Sequence, residues 1–343
     1  VKRMVLTAVL TGFVTAAAWA QTGTTSGATG TPAAVQTAPA GAAADANSKH
    51  KGATPLPVLG LPGRALVVEQ AGKDELTPML TASDLVVKVN GKAAEVTAWR
   101  PVVAEGADIE LAVVIDDSLH PSEANQYGDV REFLKGLPPS VRVLVGYMEN
   151  GRVVVETKGF TTDREAAGKA LRIPHGTPGG NASPYFCIQD LVARWPSRDG
   201  QAARVAMLIT NGVDNYTGAN PLDQSSPYVE RAIHDAQKAG VMLYSIYAND
   251  VGVGGGGAAL SGQNYLLMAA RGTGAQAYYE GTMSPVSFKP FLAQFNGELE
   301  RLYEMDFLAH GSGLMPLKVT TTMKGVKVNA PEQVFVLPPE PHE

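Results

Sequence analysis

The chain has 343 residues, a formal net charge of -5 and 18% charged residues, without the basic patch that binding to phosphate backbones requires. This excludes nucleic acid as an expected partner. The one cysteine, Cys187, cannot close an intramolecular disulfide, and the length allows about two folded units plus terminal segments.

Lys2 and Arg3 precede an apolar run from Met4 to Ala16, and Ala18-Trp19-Ala20 has the small-x-small form of a signal-peptidase site. Residues 1–20 are therefore expected to be a removed secretion signal, with an uncleaved N-terminal anchor as the alternative. The run is too short to span a membrane, and the mature chain is expected to have no span. Residues 21–63 are mostly Ala, Gly, Thr, Ser and Pro, too poor in large apolar groups to offset chain entropy, and are expected to form a disordered tether.

A small β segment is expected over 64–105, with strands at Ala65 to Glu69 and Leu85 to Val89, an Asn90-Gly91 hairpin turn, and a further strand from Val96 to Val103. Strands and helices then alternate, which predicts an α/β layer over 106–305 built on a mostly parallel sheet. Leu111 to Ile115 is apolar throughout and Val205 to Thr210 is apolar up to its last residue, as strands covered on both faces should be, and Val241 to Tyr247 is the next strand. Tyr127, Val130, Phe133, Leu134 and Leu137 share one helical face. Val141 to Tyr147 and Val153 to Lys158 flank an Asn150-Gly151 turn. Thr162 with Glu165 forms a capping-box pattern, while Ser183-Pro184 and Ser226-Pro227 pair a cap with a proline suited to the first helical turn.

After a glycine-rich loop, the sequence predicts apolar packing at Tyr265 to Ala270, a short strand at Ala275 to Tyr279 and a helix from Phe288 to Leu302. Alternation from Leu317 to Met323 predicts β structure within 306–337, and 338–343 are expected to fray. The expected fold class is α/β, a Rossmann-like doubly wound, mostly parallel sheet with a small flanking β unit.

Asp116 ends a buried strand, where open α/β sheets place ligands, and Ser118 follows two residues later. Together they begin the oxygen-rich shell that a hard cation such as Mg²⁺ takes. The strand, Asp116-x-Ser118, amphipathic helix and hairpin resemble the opening of a von Willebrand factor type A (VWFA) domain over about Ile109 to Leu302. The flanks, through Ser83-Asp84-Leu85 and Val89-Asn90-Gly91-Lys92, are similar to the acidobacterial secreted VWFA-related family.

That resemblance implies a metal-dependent adhesion site of Asp-x-Ser-x-Ser, a Thr after Gly-Gly, and an Asp after a later strand. Here His120, Asn181 and Asn211 stand at the positions of the second Ser, the Thr and the Asp. The implied metal set is therefore Asp116, Ser118, Asn181 and Asn211, a degenerate site with weak Mg²⁺ binding at most, toward which Asp117 or Asp214 leans if any binding persists. The implied activity is exported, non-enzymatic binding of a protein or cell-envelope ligand, without a catalytic residue. A structural or envelope-assembly module is the alternative.

Other motifs have plainer readings. Gly252 to Gly257 matches G-x-G-x-x-G without a helix expected to open directly on it, and is expected to be a surface loop. Asp116, Ser118 and His120 suggest a hydrolase only if the fold brings them together, and no G-x-S-x-G is present. His175, His234 and His310 lack metal-ligand spacing. Ser183 is expected to cap a helix and Cys187 to be a buried small hydrophobe. Asn215-Tyr216-Thr217 matches a glycosylation acceptor without expected consequence.

Overall fold

In the computed structural model, residues 60–70, 80–216, 225–249 and 255–338 are described. The expected secretion signal and the tether up to residue 59 lie outside the described residues, as do Thr217, Gly252, Gly254 and the tail from 339.

Three strands come first: β1 (Leu61–Gln70), β2 (Leu85–Val89) and β3 (Lys92–Pro101). Then follow β4 (Ile109–Asp116), α1 (Tyr127–Gly136), β5 (Val141–Glu149), β6 (Arg152–Val155), α2 (Arg164–Lys169), α3 (Pro184–Ala193), β7 (Ala203–Thr210), α4 (Pro227–Ala239) and β8 (Val241–Tyr247). The remainder is α5 (Gly255–Gly272), β9 (Ala277–Tyr278), α6 (Lys289–Glu300), β10 (Leu302–Ala309), β11 (Gly313–Thr321), β12 (Lys327–Asn329) and β13 (Gln333–Val336).

Six strands form a mixed sheet in the order β6-β5-β4-β7-β8-β9, parallel throughout except for the edge hairpin of β5 with β6. In β4, Leu111, Val113 and Ile115 join the cluster of Tyr127, Val130, Leu134 and Phe295, whereas Ala112 and Val114 join that of Tyr185, Ile188, Val229 and Tyr265. Helices thus pack on both sides of this strand, which explains its unbroken apolar run.

The second sheet has seven strands, β12-β1-β10-β3-β2-β11-β13, with antiparallel pairings that draw residues from both ends of the described chain. Its interior holds Val67, Val87, Met305, Phe307, Leu317 and Val336. Trp99 stacks on Tyr303 at 4.4 Å between ring centroids and donates Nε1 to the Leu80 carbonyl, so its polar end is satisfied. The architecture is mixed α/β with an additional antiparallel sheet. Among the described residues, no helix is long and apolar enough to cross a membrane.

Both Asn-Gly hairpin turns form, with Asn90 at φ 48° and Asn150 at φ 45°, the left-handed backbone that tight hairpins need. Ser183 and Ser226 cap α3 and α4 through Tyr185 N and through Tyr228 N and Val229 N. Other local expectations shift. The cap of α2 is Asp163, whose carboxylate accepts from Glu165 N and Ala166 N, and not Thr162, because the helix starts one residue later than the capping-box pattern placed it. The β6 strand stops at Val155. Leu61 to Gly63, within the stretch read as tether, pair with β10.

The expected Phe288 to Leu302 helix ends at Glu300, and Leu302 instead opens β10, which lies between β1 and β3. The glycine stretch also differs from its expectation, since α5 opens on Gly255. Glycine disfavours a helix locally, but Ala259, Tyr265, Leu266 and Ala269 bury against the sheet, and packing decides. Gly262 is required for this contact: a Cβ there would stand 2.0 Å from the Asn211 carbonyl oxygen.

Candidate functional site

The carboxyl ends of β4, β5 and β7 meet at one edge of the mixed sheet, and Asp116 lies there with 0% exposure. Its Oδ1 accepts from Ser118 N at 2.9 Å and Ser118 Oγ at 2.6 Å. Its Oδ2 accepts from Asn181 Nδ2 at 2.9 Å and Thr210 Oγ1 at 2.6 Å. Burial raises the Asp116 pKa above the usual carboxylate range, opposed by the hydrogen bonds from Ser118, Thr210 and Asn181. Asn181 turns its nitrogen to the carboxylate, leaving its buried Oδ1 without a hydrogen-bond partner.

Three of the four expected residues, Asp116, Ser118 and Asn181, therefore come together. Asn211 does not join them, because its Oδ1 accepts from Val213 N at 2.9 Å and shapes the turn after β7. Thr210 bonds Asp116 instead. The structure shows why: parallel pairing of Ile115 with Ile209 sets the next residues, Asp116 and Thr210, side by side, a register that no local sequence pattern carries.

Asp117 and Asp214 turn away from this shell. Asp214 accepts from Ser183 Oγ at 3.2 Å, Ser226 Oγ at 2.6 Å and Tyr216 N at 3.2 Å, linking the starts of α3 and α4. Ser183 is thus both a cap and a partner of Asp214. Asp117 Oδ1 accepts from Arg172 Nη1 at 2.5 Å and His175 N at 3.0 Å, and Oδ2 pairs with His175 Nδ1.

Arg172 also bonds Glu149 at 2.5 Å and Glu156 at 3.0 Å, with its guanidinium 3.8 Å from the centre of the Tyr147 ring. Burial alone would raise the Asp117 pKa, yet the hydrogen bonds from Arg172 and His175 hold it below the usual range. His175 is accordingly not an isolated histidine: ligand atoms of Asp117, Glu149 and His175 lie within 4.8 Å of one another. Residues so far apart in the chain carry no local spacing signal, and here Arg172 supplies a cation to both carboxylates.

The hydrolase trio is not assembled. Ser118 Oγ donates to Asp116, whereas the His120 ring is exposed, pairs with Ser122 Oγ at 2.8 Å and caps the 3₁₀ turn Pro121–Gln126. Cys187 is buried, as expected, and its Sγ donates to the Asn181 carbonyl at 3.4 Å.

A Mg²⁺ ion needs oxygen lone pairs converging on one point. At Asp116 both carboxylate oxygens already accept two donors, and Asn181 presents nitrogen rather than oxygen. The residues as arranged do not fit the ion, since its entry would break these bonds and require Asn181 to rotate.

No family profile matches the chain, and no curated protein matches it. Similar solved structures include a named VWA domain and a named vWF domain. An aerotolerance-related membrane protein from Bacteroides fragilis is 14% identical, covering 56% of this chain and 98% of its own, with a TM-score of 0.37. The VWA domain of SpRpn10 is 14% identical over 55% of this chain and 95% of its own, with a TM-score of 0.37. The vWF domain of the type V pili tip protein Mfa5 from Porphyromonas gingivalis is 13% identical over 56% and 94%, also at 0.37.

Proposed function

We propose that this chain is an exported, non-enzymatic binding module of VWFA type, with a Rossmann-like, doubly wound core and a degenerate metal-dependent adhesion site. Its contact surface is the loop edge around Asp116, and its ligand is a protein or other cell-envelope component. The observation that carries this reading is the convergence of Asp116, Ser118, Asn181 and Thr210 at the carboxyl edge of the sheet. Beside them, Phe186 packs against Tyr216 and Tyr228 at 4.8 and 4.9 Å, and Tyr216 is 61% exposed, an aromatic anchor of the kind protein contacts favour. The closed shell of Asp116 favours a second reading, an envelope-assembly module that uses no metal.

The test is affinity capture from the envelope fraction of the exporting cell, with Mg²⁺ or with chelator, using the parent chain, Tyr216→Ser and a flanking-sheet control, Val86→Ser. The same ligand should be recovered in both buffers, lost with Tyr216→Ser and kept with Val86→Ser. Equal recovery by all three proteins would move the contact surface away from this edge.

A further inference from the structure

Residues 172–182 join α2 to α3 across this edge and are fastened at both ends. At the start, Arg172 bonds Asp117, Glu149 and Glu156, and its backbone N and O both bond the buried Tyr147 hydroxyl, at 2.7 and 2.6 Å. His175 N and Gly176 N reach Asp117 Oδ1 and the Asp117 carbonyl, each at 3.0 Å. At the end, the Gly180 and Asn181 carbonyls accept from Asn150 N and Gly151 N at 2.7 and 2.8 Å, and the Asn181 side chain closes on Asp116.

Between these fastenings Ile173, Thr177, Pro178 and Gly179 are exposed. Two features show a closure held under constraint. Ala182 has φ 63°, a left-handed backbone that a residue with a Cβ keeps only where its surroundings impose it. Asn181 Oδ1 is buried and unpartnered. A planar guanidinium presents its donors in a fixed fork and can serve several carboxylates in one set geometry, which the compact ammonium of lysine does not pre-organise.

We propose that the 172–182 segment is a latch over Asp116, locked by Arg172 as a fixed internal cation, and that releasing Arg172 opens the Asp116 pocket while the sheet stays folded. This regulates access to the edge proposed above as the contact surface and rests on that reading for its biological use. Its test needs no ligand, so the two can fail separately.

The chain supplies its own reporter. Cys187, the single cysteine, lies beneath the latch with its Sγ on the Asn181 carbonyl. Thiol labelling of the full chain should be at least about tenfold faster in Arg172→Gln than in the parent, because local opening governs access to a buried group. Hydrogen exchange should rise far more across 173–182 than in β7 and β8, whose amides report only the loss of global stability. Arg172→Lys should fall between the two.

Unchanged labelling with an intact sheet overturns the proposal. So does faster exchange spread evenly through β5, β7 and β8, which makes Arg172 a general stabiliser. Should Arg172→Gln fail to fold, Glu149→Gln with Glu156→Gln keeps the Asp117–Arg172 pair, loosens the lock in part, and must give a smaller rise centred on the latch. A flat response in that double variant overturns the proposal as well.

Discussion

Asp116 and Asp117 are neighbours in sequence, but the two pockets they enter solve the problem of a buried carboxylate differently. Asp116 is surrounded by neutral donors, two from Ser118 and one each from Asn181 and Thr210, and its pKa is pushed up by burial. Asp117 has a guanidinium, and its pKa is held down. Hydroxyls and amides satisfy lone pairs but do not offset the loss of hydration as an opposite charge does. The edge therefore holds one carboxylate without a counter-charge beside one that is fully paired, and Arg172 belongs to the second.

The largest expected effect follows from removing that cation. Arg172→Gln leaves Asp117, Glu149 and Glu156 facing one another, and breaking a buried ion pair costs about 3–5 kcal/mol. The Arg172 side chain is 27% exposed, so solvent screening lowers the expectation to about 2 kcal/mol in urea unfolding. Asp116→Ala strands donors of Ser118, Asn181 and Thr210 while relieving a desolvated charge, so its cost should be smaller, about 1 kcal/mol. A reversed order would break the contrast between the two pockets.

A smaller effect sharpens the contrast through its sign. For Asp117, a folded pKa below the usual value gives stability that is present above the unfolded pKa and lost as pH falls through the folded one. For Asp116, a folded pKa above the usual value means that the native state binds more protons between the two values, so stability declines as pH rises through that window. In chelator, Asp117→Asn should flatten the acid side of the melting-temperature profile, and Asp116→Asn should remove a decline above the usual carboxylate range. Shifts of the same sign for both variants would contradict the assignment.

How legible these features were depends on whether their causes are local. The strands β4 and β7 could be read because burial on both faces leaves a continuous apolar run, and the Asn-Gly turns because left-handed backbone selects those residues. The Ser-Pro starts of α3 and α4 were readable for the same reason. The start of α5 was not, since its glycines disfavour a helix that packing nonetheless enforces. Leu302 fits a helical stripe, but pairing with β1 through Val68 makes it a strand. At the site, Asp116, Ser118 and Asn181 were found from a motif. Arg172 and His175 were missed because their partners, Asp117, Glu149 and Glu156, come together only through the fold.

The most direct test of the proposal that the metal site is degenerate is the melting temperature of the chelated, full-length protein on addition of about 1 mM Mg²⁺, because an ion that binds only the native state must raise stability with occupancy. With the carboxylate already satisfied by four donors and Asn211 turned to Val213 N, the shift should be below about 1 °C, and Asn181→Thr with Asn211→Asp should enlarge it clearly. A rise of several degrees in the unmodified chain, abolished by Asp116→Ala, would contradict the account and establish Asp116 as a ligand of a working metal site.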